Sequence, residues 1–413
     1  ILLTLCLAYS LLPTAALAEE EKVAKVGETE YATLAEAVNA ATTENSTVTL
    51  LKDAELTETL NIDKAITLDG ANHKIKGMPS TGTSFITVKT DGDFTMKNVT
   101  ILPTSKVETN AAIDLQVKGK VIVDNCVFGA ADDTNQFMYN GLEFSQSENY
   151  PMVDGTTISN CTFYGGAFRH NFISFYRIAE GATININGNK FLNVNWDTTN
   201  AIRVSNYSNV NATINLLDDT YNDHGADENK NYAGLLFFQQ LVSYKDDFTK
   251  LTVNIEKLDT TGAQSNQLFY VYKDGAGIIS TNQPVVKGDS SIEKFFVAKV
   301  DKTYYKTLAA AVAAAQDGAT ITLLKDTTES NIVLKKNGTL DLGGHTLDAG
   351  ATNRYGLRAA SGVDVTIQNG TVKNAFSALS IWGSNDSSKP TKVTVAQDVT
   401  FTDSGYGIIL AGY

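Results

Sequence analysis

The side chains able to do chemistry fall mainly in one pattern. Five short segments, AAIDL (111–115), NGLEF (140–144), FISFY (172–176), NAIRV (200–204) and GLLFF (234–238), read as strands. Taking Ile113, Leu142, Ile173, Ile202 and Leu235 as one inward column gives separations of 29, 31, 29 and 33 residues. Alternation along a strand then turns the next residue of each outward: Asp114, Glu143, Ser174, Arg203 and Leu236. Strands of neighbouring coils lie ~4.8 Å apart, so Asp114 and Glu143 become stacked carboxylates, with Arg203 two coils beyond Glu143. Paired carboxylates suit Ca²⁺, and with a cation they are the raw material of glycan-cleaving chemistry. The plainer reading is a solvated polar face with partial charge pairing.

Other candidates are weaker. The stretch 137–177 is rich in Phe and Tyr with Arg169, His170 and Arg177 interleaved, and Trp196 and Tyr207 follow one coil later. Aromatic faces with polar neighbours suit sugar rings, which makes Tyr176, Arg177 and Trp196 the expected glycan contacts. Phe128, Phe163 and Phe191 share one inward column and read as core. Cys126 and Cys161 follow equivalent residues, so they read as stacked small interior side chains. His73 and His345 occupy equivalent places in two repeated blocks, which a structural role explains. His170 and His224 have no ligand-spaced partner.

The elements that position these residues come from repetition. A unit recurs as TMKNVTI (95–101), VIVDNCVF (121–128), TTISNCTF (156–163), ININGNKF (184–191), INLLDDTY (214–221), VTIQNGTV (365–372) and TVAQDVTF, the last with one extra residue. Each is a strand, a one-residue corner and another short strand. The corners are Asn98, Asn125, Asn160, Gly188 and Asp218, spaced by 27, 35, 28 and 30, then Asn369 and Asp398, spaced by 29. Asn, Asp and Gly tolerate the left-handed backbone that such a corner requires. Three short strands per coil of roughly 30 residues predict an all-β parallel β-helix, because stacked coils bury a continuous apolar column. A β-sandwich also offers many short strands, but not one corner motif at this spacing.

A longer block occurs twice: YATLAEAVNAATTENSTVTLLKD at 31–53 and YKTLAAAVAAAQDGATITLLKD at 305–326, finishing in TLDGANHKI and TLDLGGHTL. Each opens with a short Ala-rich helix. Thr33 and Glu36 form a capping box on the first, whereas Thr307 is followed by Ala310 on the second. The expected organisation is a first β-helix domain over 19–296 and a second, incomplete one over 297–413.

The corner units resemble the right-handed parallel β-helix repeats of the pectin-lyase-like superfamily, and the long blocks resemble those that open β-helix domains in secreted bacterial surface proteins. The resemblance implies that each Ala-rich helix caps the first coil and that chemistry, where present, sits on the outward column. The polygalacturonase-like pattern is incomplete: Asp218-Asp219 is present, but no Gly-His-Gly or Arg-x-Lys follows. The implied function is a secreted or surface scaffold for adhesion or glycan binding, its partner an extracellular glycan or a host or cell-surface ligand. The alternative is a lyase or hydrolase acting on an acidic polysaccharide through Asp114, Glu143 and Arg203, with Ca²⁺ at the two carboxylates.

Both ends and the composition agree with an exported chain. An apolar run from Ile1 to Leu12 precedes Ala16-Leu17-Ala18 and then Glu19-Glu20-Glu21, the core and cleavage site of a signal peptide over 1–18. That run is too short to span a bilayer, and no second apolar span follows. The sequence stops at Tyr413 within a strand-like pattern. A net charge of −13, without a basic stripe, argues against nucleic acid. Hydrophobic residues at 43% supply a core and exclude disorder, and three Cys in 413 residues exclude a disulfide scaffold.

Overall fold

A computed structural model describes residues 21–411 apart from 43, 78–83, 104–108, 133–137, 195–199, 224–233, 242–245, 265–267 and 352. The expected leader over 1–18 with Cys6, and also Trp196 and His224, lie outside the described residues. The described chain is nearly all-β, with long parallel sheets that recur in a three-sheet pattern, as in a parallel β-helix. The coil of Leu251–Glu256 meets the second sheet only through a bridge from Asp259 to Thr220, but most coils give one strand to each sheet. In one coil these are Val121–Asp124, Val127–Phe128 and Met138–Phe144; in the next, Thr157–Ser159, Thr162–Tyr164 and Phe168–Phe175. They pair in parallel, strand on strand.

Outside the repeated blocks, whose turns take three or four residues as at 51–53 and 70–73, the turn from the first sheet to the second pivots on one left-handed residue. Asn98, Asn125, Asn160, Gly188, Asp218 and Asn369 have φ of +54°, +50°, +54°, +66°, +57° and +59°. The Asn125 amide donates to the Ser159 carbonyl (3.0 Å) and the Asn160 amide to the Asn187 carbonyl (2.9 Å), so the corners stack. Their side chains add a ladder: Asn125 Nδ2 donates to Asn98 Oδ1 at 2.9 Å, and Asn98 Nδ2 to Asp69 Oδ1 at 3.1 Å. Two positions depart from the expected pattern. Lys257 takes the left-handed corner of the following coil with φ of +54°. Asp398 is not among the left-handed residues; the extra residue in its unit displaces the turn, and its carboxylate accepts the Asn369 amide at 2.9 Å.

The inward side chains file along the coil axis. Phe128 and Phe163 stack with centroids 4.7 Å apart, Phe163 and Phe191 at 5.5 Å, and all three are fully buried. Cys126 and Cys161 are free thiols at 0% exposure, and each sulfur donates to backbone carbonyls, Asp124 and Ser159 at 3.3 and 3.1 Å. Burial, with the neighbouring Cys161, pushes the Cys126 thiol well above its ordinary range.

The repeated blocks share a topology. In the first, Thr29–Tyr31 and Ala24–Val26 form an antiparallel hairpin, helix α1 (Leu34–Ala40) follows, and Ser46–Leu50 begins the parallel stack. In the second, Thr303–Tyr305 and Ala298–Val300, helix α2 (Leu308–Ala314) and Ala319–Leu323 repeat it. The outer hairpin strand Thr303–Tyr305 pairs antiparallel with Val285–Gly288, the last parallel strand before it, so the first sheet runs unbroken from one block into the other. The apolar side chains nevertheless form two clusters, one ending at Tyr304 and the other starting at Ala298.

The two helices satisfy their first amides differently. On α1 the Thr33 hydroxyl accepts the Glu36 amide (3.1 Å) and the Glu36 carboxylate accepts the Thr33 amide (3.2 Å). On α2, Ala310 removes the second half of that box, and the Glu329 carboxylate, 21 residues on, accepts the Leu308 and Ala309 amides at 2.7 and 3.0 Å. The blocks also share a His–Asp contact: His73 to Asp53 at 3.8 Å and His345 to Asp326 at 3.5 Å.

The corner makes a testable demand. An L-residue without a locally bonding side chain pays about 1–2 kcal/mol in the left-handed region, so Asn125→Ala is expected to destabilise the fold by at least that much, since the ladder bond to Asn98 goes too. Asn125→Gly is expected to lose less. Urea denaturation of the three proteins checks this, and an alanine variant as stable as the parent would refute the corner assignment.

Candidate functional site

The outer face of the third sheet carries the polar column. Parallel register places Asp114 beside Glu143, Glu143 beside Ser174 and Ser174 beside Arg203. The next partner is Phe237, not Leu236, followed by Tyr270. Leu236 belongs to the inward column with Ile202, and the column slips by one residue relative to the spacing read from the sequence. In the run Leu235-Leu236-Phe237-Phe238 no polar residue marks the face, so only pairing fixes the register.

A second file runs beside this column. Asn140, Asn171 and Asn200 pair in register and are 7%, 5% and 8% exposed. Asn171 Nδ2 and Ser174 Oγ both donate to Asn140 Oδ1 (3.0 and 3.1 Å), Asn140 Nδ2 donates to Glu143 Oε2 (2.7 Å), and the Tyr270 hydroxyl donates to Asn200 Oδ1 (2.9 Å). Asn140 and Glu143 share a face although they are three residues apart, which breaks strand alternation, and the register shifts beside Asn140. Gly141 lies between them, where an added Cβ would stand 2.4 Å from the Phe172 carbonyl oxygen. The sequence held the signal for this ladder: NGLE, NFIS and NAIR share their first residue.

Asn140, Glu143, Asn171, Asn200 and Arg203 line an open groove of about 760 Å³ with Tyr139, Gln146, His170, Tyr176, Phe237 and Gln239. The Tyr139 and His170 rings stack at 4.8 Å, and His170 is exposed. Phe237 is partly exposed, with its ring 5.0 Å from that of Tyr270. Arg203 lies 4.5 Å over the Tyr176 ring, and its Nη1 donates to the Tyr176 hydroxyl at 2.7 Å.

The electrostatics follow from burial. Burial raises the Glu143 carboxyl above the ordinary carboxylate range; the Asn140 hydrogen bond opposes this, the Asp114 charge adds to it and Arg203 opposes it. Burial also raises Asp114, against the hydrogen bond from Gln116 (3.0 Å). Asp246 is 2% exposed with neither carboxylate oxygen hydrogen-bonded; burial pushes it up to about 7, against the charges of Arg203 and Arg177.

The other expected site residues are placed as follows. Asp114 stacks on Glu143 but does not line the groove. Arg177 turns away from it: its Nε donates to the Gln146 carbonyl at 2.6 Å, and Nη2 lies 3.4 Å from Glu148. Asp218 and Asp219 diverge. Asp218 is an exposed corner 3.7 Å from Lys257, whereas Asp219 points into the core at 1% exposure. There its Oδ1 accepts the Asn189 amide and Nδ2 (2.7 and 3.0 Å), and its Oδ2 has no partner. Among the described residues no group of three or more His, Cys, Asp or Glu is placed to hold a metal ion. No described helix is long and apolar enough to cross a membrane.

No protein-family model matches the chain, and no curated protein matches it. Its fold and this groove therefore carry the functional argument.

Asp219 generates a pH prediction. Burial pushes its carboxyl from 3.8 up to about 8. Between those values the folded chain keeps a proton that the unfolded chain has lost. The stability contribution is thus fully present below about pH 4 and is lost as pH rises towards 8, at up to about 1.4 kcal/mol per pH unit. Asp219→Asn keeps the acceptor for Asn189 and has no such proton to lose. Its melting temperature relative to the parent is expected to climb between about pH 5 and pH 8; a difference independent of pH would show that Asp219 is ionised in the fold.

Proposed function

We propose that the chain is a secreted or cell-surface scaffold built on a right-handed parallel β-helix of the pectin-lyase-like kind, and that it binds glycans along the outer face of the third sheet without transforming them. On this reading α1 and α2 cover the open starts of the two stacks, where unpaired strand edges would otherwise invite association. The observation that carries it is the groove itself: five amide side chains, Asn140, Asn171, Asn200, Gln146 and Gln239, line it with the rings of Tyr139 and Phe237, while the Tyr176 ring lies buried under Arg203. Amides both donate and accept, as hydroxyl-rich ligands need, and aromatic faces take the apolar faces of sugar rings. The apolar run and Ala-Leu-Ala site of the first 18 residues support export.

The catalytic alternative, a lyase or hydrolase of acidic polysaccharide, draws on Glu143, a groove carboxyl held above its ordinary range. Its stacked partner Asp114 is engaged by Gln116 and lies outside the groove lining. Incubation with a panel of uronic-acid polysaccharides and Ca²⁺ is expected to give neither unsaturated products nor new reducing ends. Product from the parent, lost in an Asp114→Ala/Glu143→Ala double variant, would establish the enzyme instead.

Binding is tested on a glycan array with the mature chain and Phe237→Ala. The parent is expected to bind at least one oligosaccharide, and the variant to bind it about tenfold more weakly, roughly 1.4 kcal/mol, with an unchanged far-UV circular dichroism spectrum. An array at background throughout would sink the glycan reading.

A further inference from the structure

We infer that the groove on the third sheet takes an uncharged glycan, a neutral oligosaccharide lying along the coil axis, and discriminates against polyuronates and sulfated chains. This deepens the glycan-binding reading above and rests on it.

The charge inventory points this way. Besides His170, the lining carries one carboxylate, Glu143, and one guanidinium, Arg203. A polyanion presents a negative charge on most rings and needs cations spaced to meet them, bidentate Arg being the best partner. Arg203 is already held: it donates to the Tyr176 hydroxyl, lies over that ring, and its charge acts on both Glu143 and Asp246. Arg177, next in sequence to Tyr176, is drawn to the Gln146 carbonyl and Glu148. An anionic chain extended along the column would meet Glu143 and then Asp114 on the adjoining coil, over a protein of net charge −13. Glu143 and Asp114 are raised by burial already, so further negative charge beside them is disfavoured.

The neutral groups fit the opposite ligand. Asn140, Asn171 and Asn200 form an uncharged floor of one amide per coil in register, largely buried and bonded among themselves and to Glu143 and Tyr270. The lining extends from the strand of Glu143 to that of Phe237, three coil steps. At ~4.8 Å per step this is roughly 14 Å, the length of about three pyranose rings. Phe237, partly exposed at one end, offers the apolar face on which a ring settles. Glu143 then serves as an acceptor for a hydroxyl of an uncharged ring, while Arg203 stays on Tyr176.

The test is isothermal titration of the full chain with two sets of hexasaccharides. The neutral set is cellohexaose, xylohexaose, mannohexaose and maltohexaose; the anionic set is hexagalacturonate and a heparin-derived hexasaccharide. We expect at least one neutral probe to bind, its Kd to change less than about twofold between 50 and 500 mM NaCl because no ion pair is formed, and both anionic probes to bind at least tenfold more weakly. Phe237→Ala is expected to weaken the neutral probe about tenfold. Tighter binding of an anionic probe, or a neutral probe lost in high salt, would overturn the inference while leaving a glycan-binding groove. Binding of neither set would overturn the glycan reading and this inference with it.

Discussion

Every coil of this chain is held by the backbone of the coils on either side, and that pairing survives only if each turn brings the next strand back into register. The left-handed corner does this with one residue. At φ near +50° to +66°, Asn98, Asn125, Asn160, Gly188 and Asp218 swing the chain from the first sheet to the second in a single step. Their amides continue the ladder, as Asn125 to Ser159 and Asn160 to Asn187 show. The phenylalanine file and the buried thiols stack because the corners do, and so does the outward polar column.

The groove inherits that regularity, and its departure from strict alternation repeats in three successive strands. Most inward positions are apolar, the buried pair Asp219 and Asn189 being an exception, and outward ones are freer, so side-chain choice on the outer face of the third sheet reflects more than packing. There the amides fall one above another because the register is parallel. The same three-residue spacing recurs at Asn140 and Glu143, Asn171 and Ser174, and Asn200 and Arg203, and the bond from Asn140 Nδ2 to Glu143 ties the amide file to the acidic column. Burial then sets the protonation behaviour of the neighbouring carboxyls, and Arg203 is fixed over Tyr176.

Sequence reading reached the corners because only a few residue types sit comfortably in the left-handed region. It missed Lys257 because lysine gives no such signal, and it misplaced Asp398 because an extra residue moved the turn. The column from Asp114 to Arg203 was legible where polar and apolar residues alternate. It slipped where Leu235 to Phe238 are all apolar and periodicity has nothing to read. The Asn140–Asn171–Asn200 file escaped notice because one asparagine per strand is unremarkable until register superposes them. Glu329 at the start of α2 was beyond reach for a related reason: its partner amides are about 20 residues away in the chain.

The antiparallel hairpin between the two stacks has an evolutionary corollary. Thr303–Tyr305 accepts the end of one stack two residue pairs wide, Ala298–Val300 starts the next, and side chains seal the joint: the Tyr304 hydroxyl donates to the Asp289 carbonyl at 2.8 Å, the Tyr304 and Phe296 rings lie 5.3 Å apart, and Lys306 sits over Phe269 and Phe296. Such a coupling draws on particular side chains, and the first block carries Glu30 and Ala32 where the second has Tyr304 and Lys306. Lengthening such a chain by duplicating whole segments would therefore require a few substitutions at the joint, while the outward surface of each segment stays free to diverge.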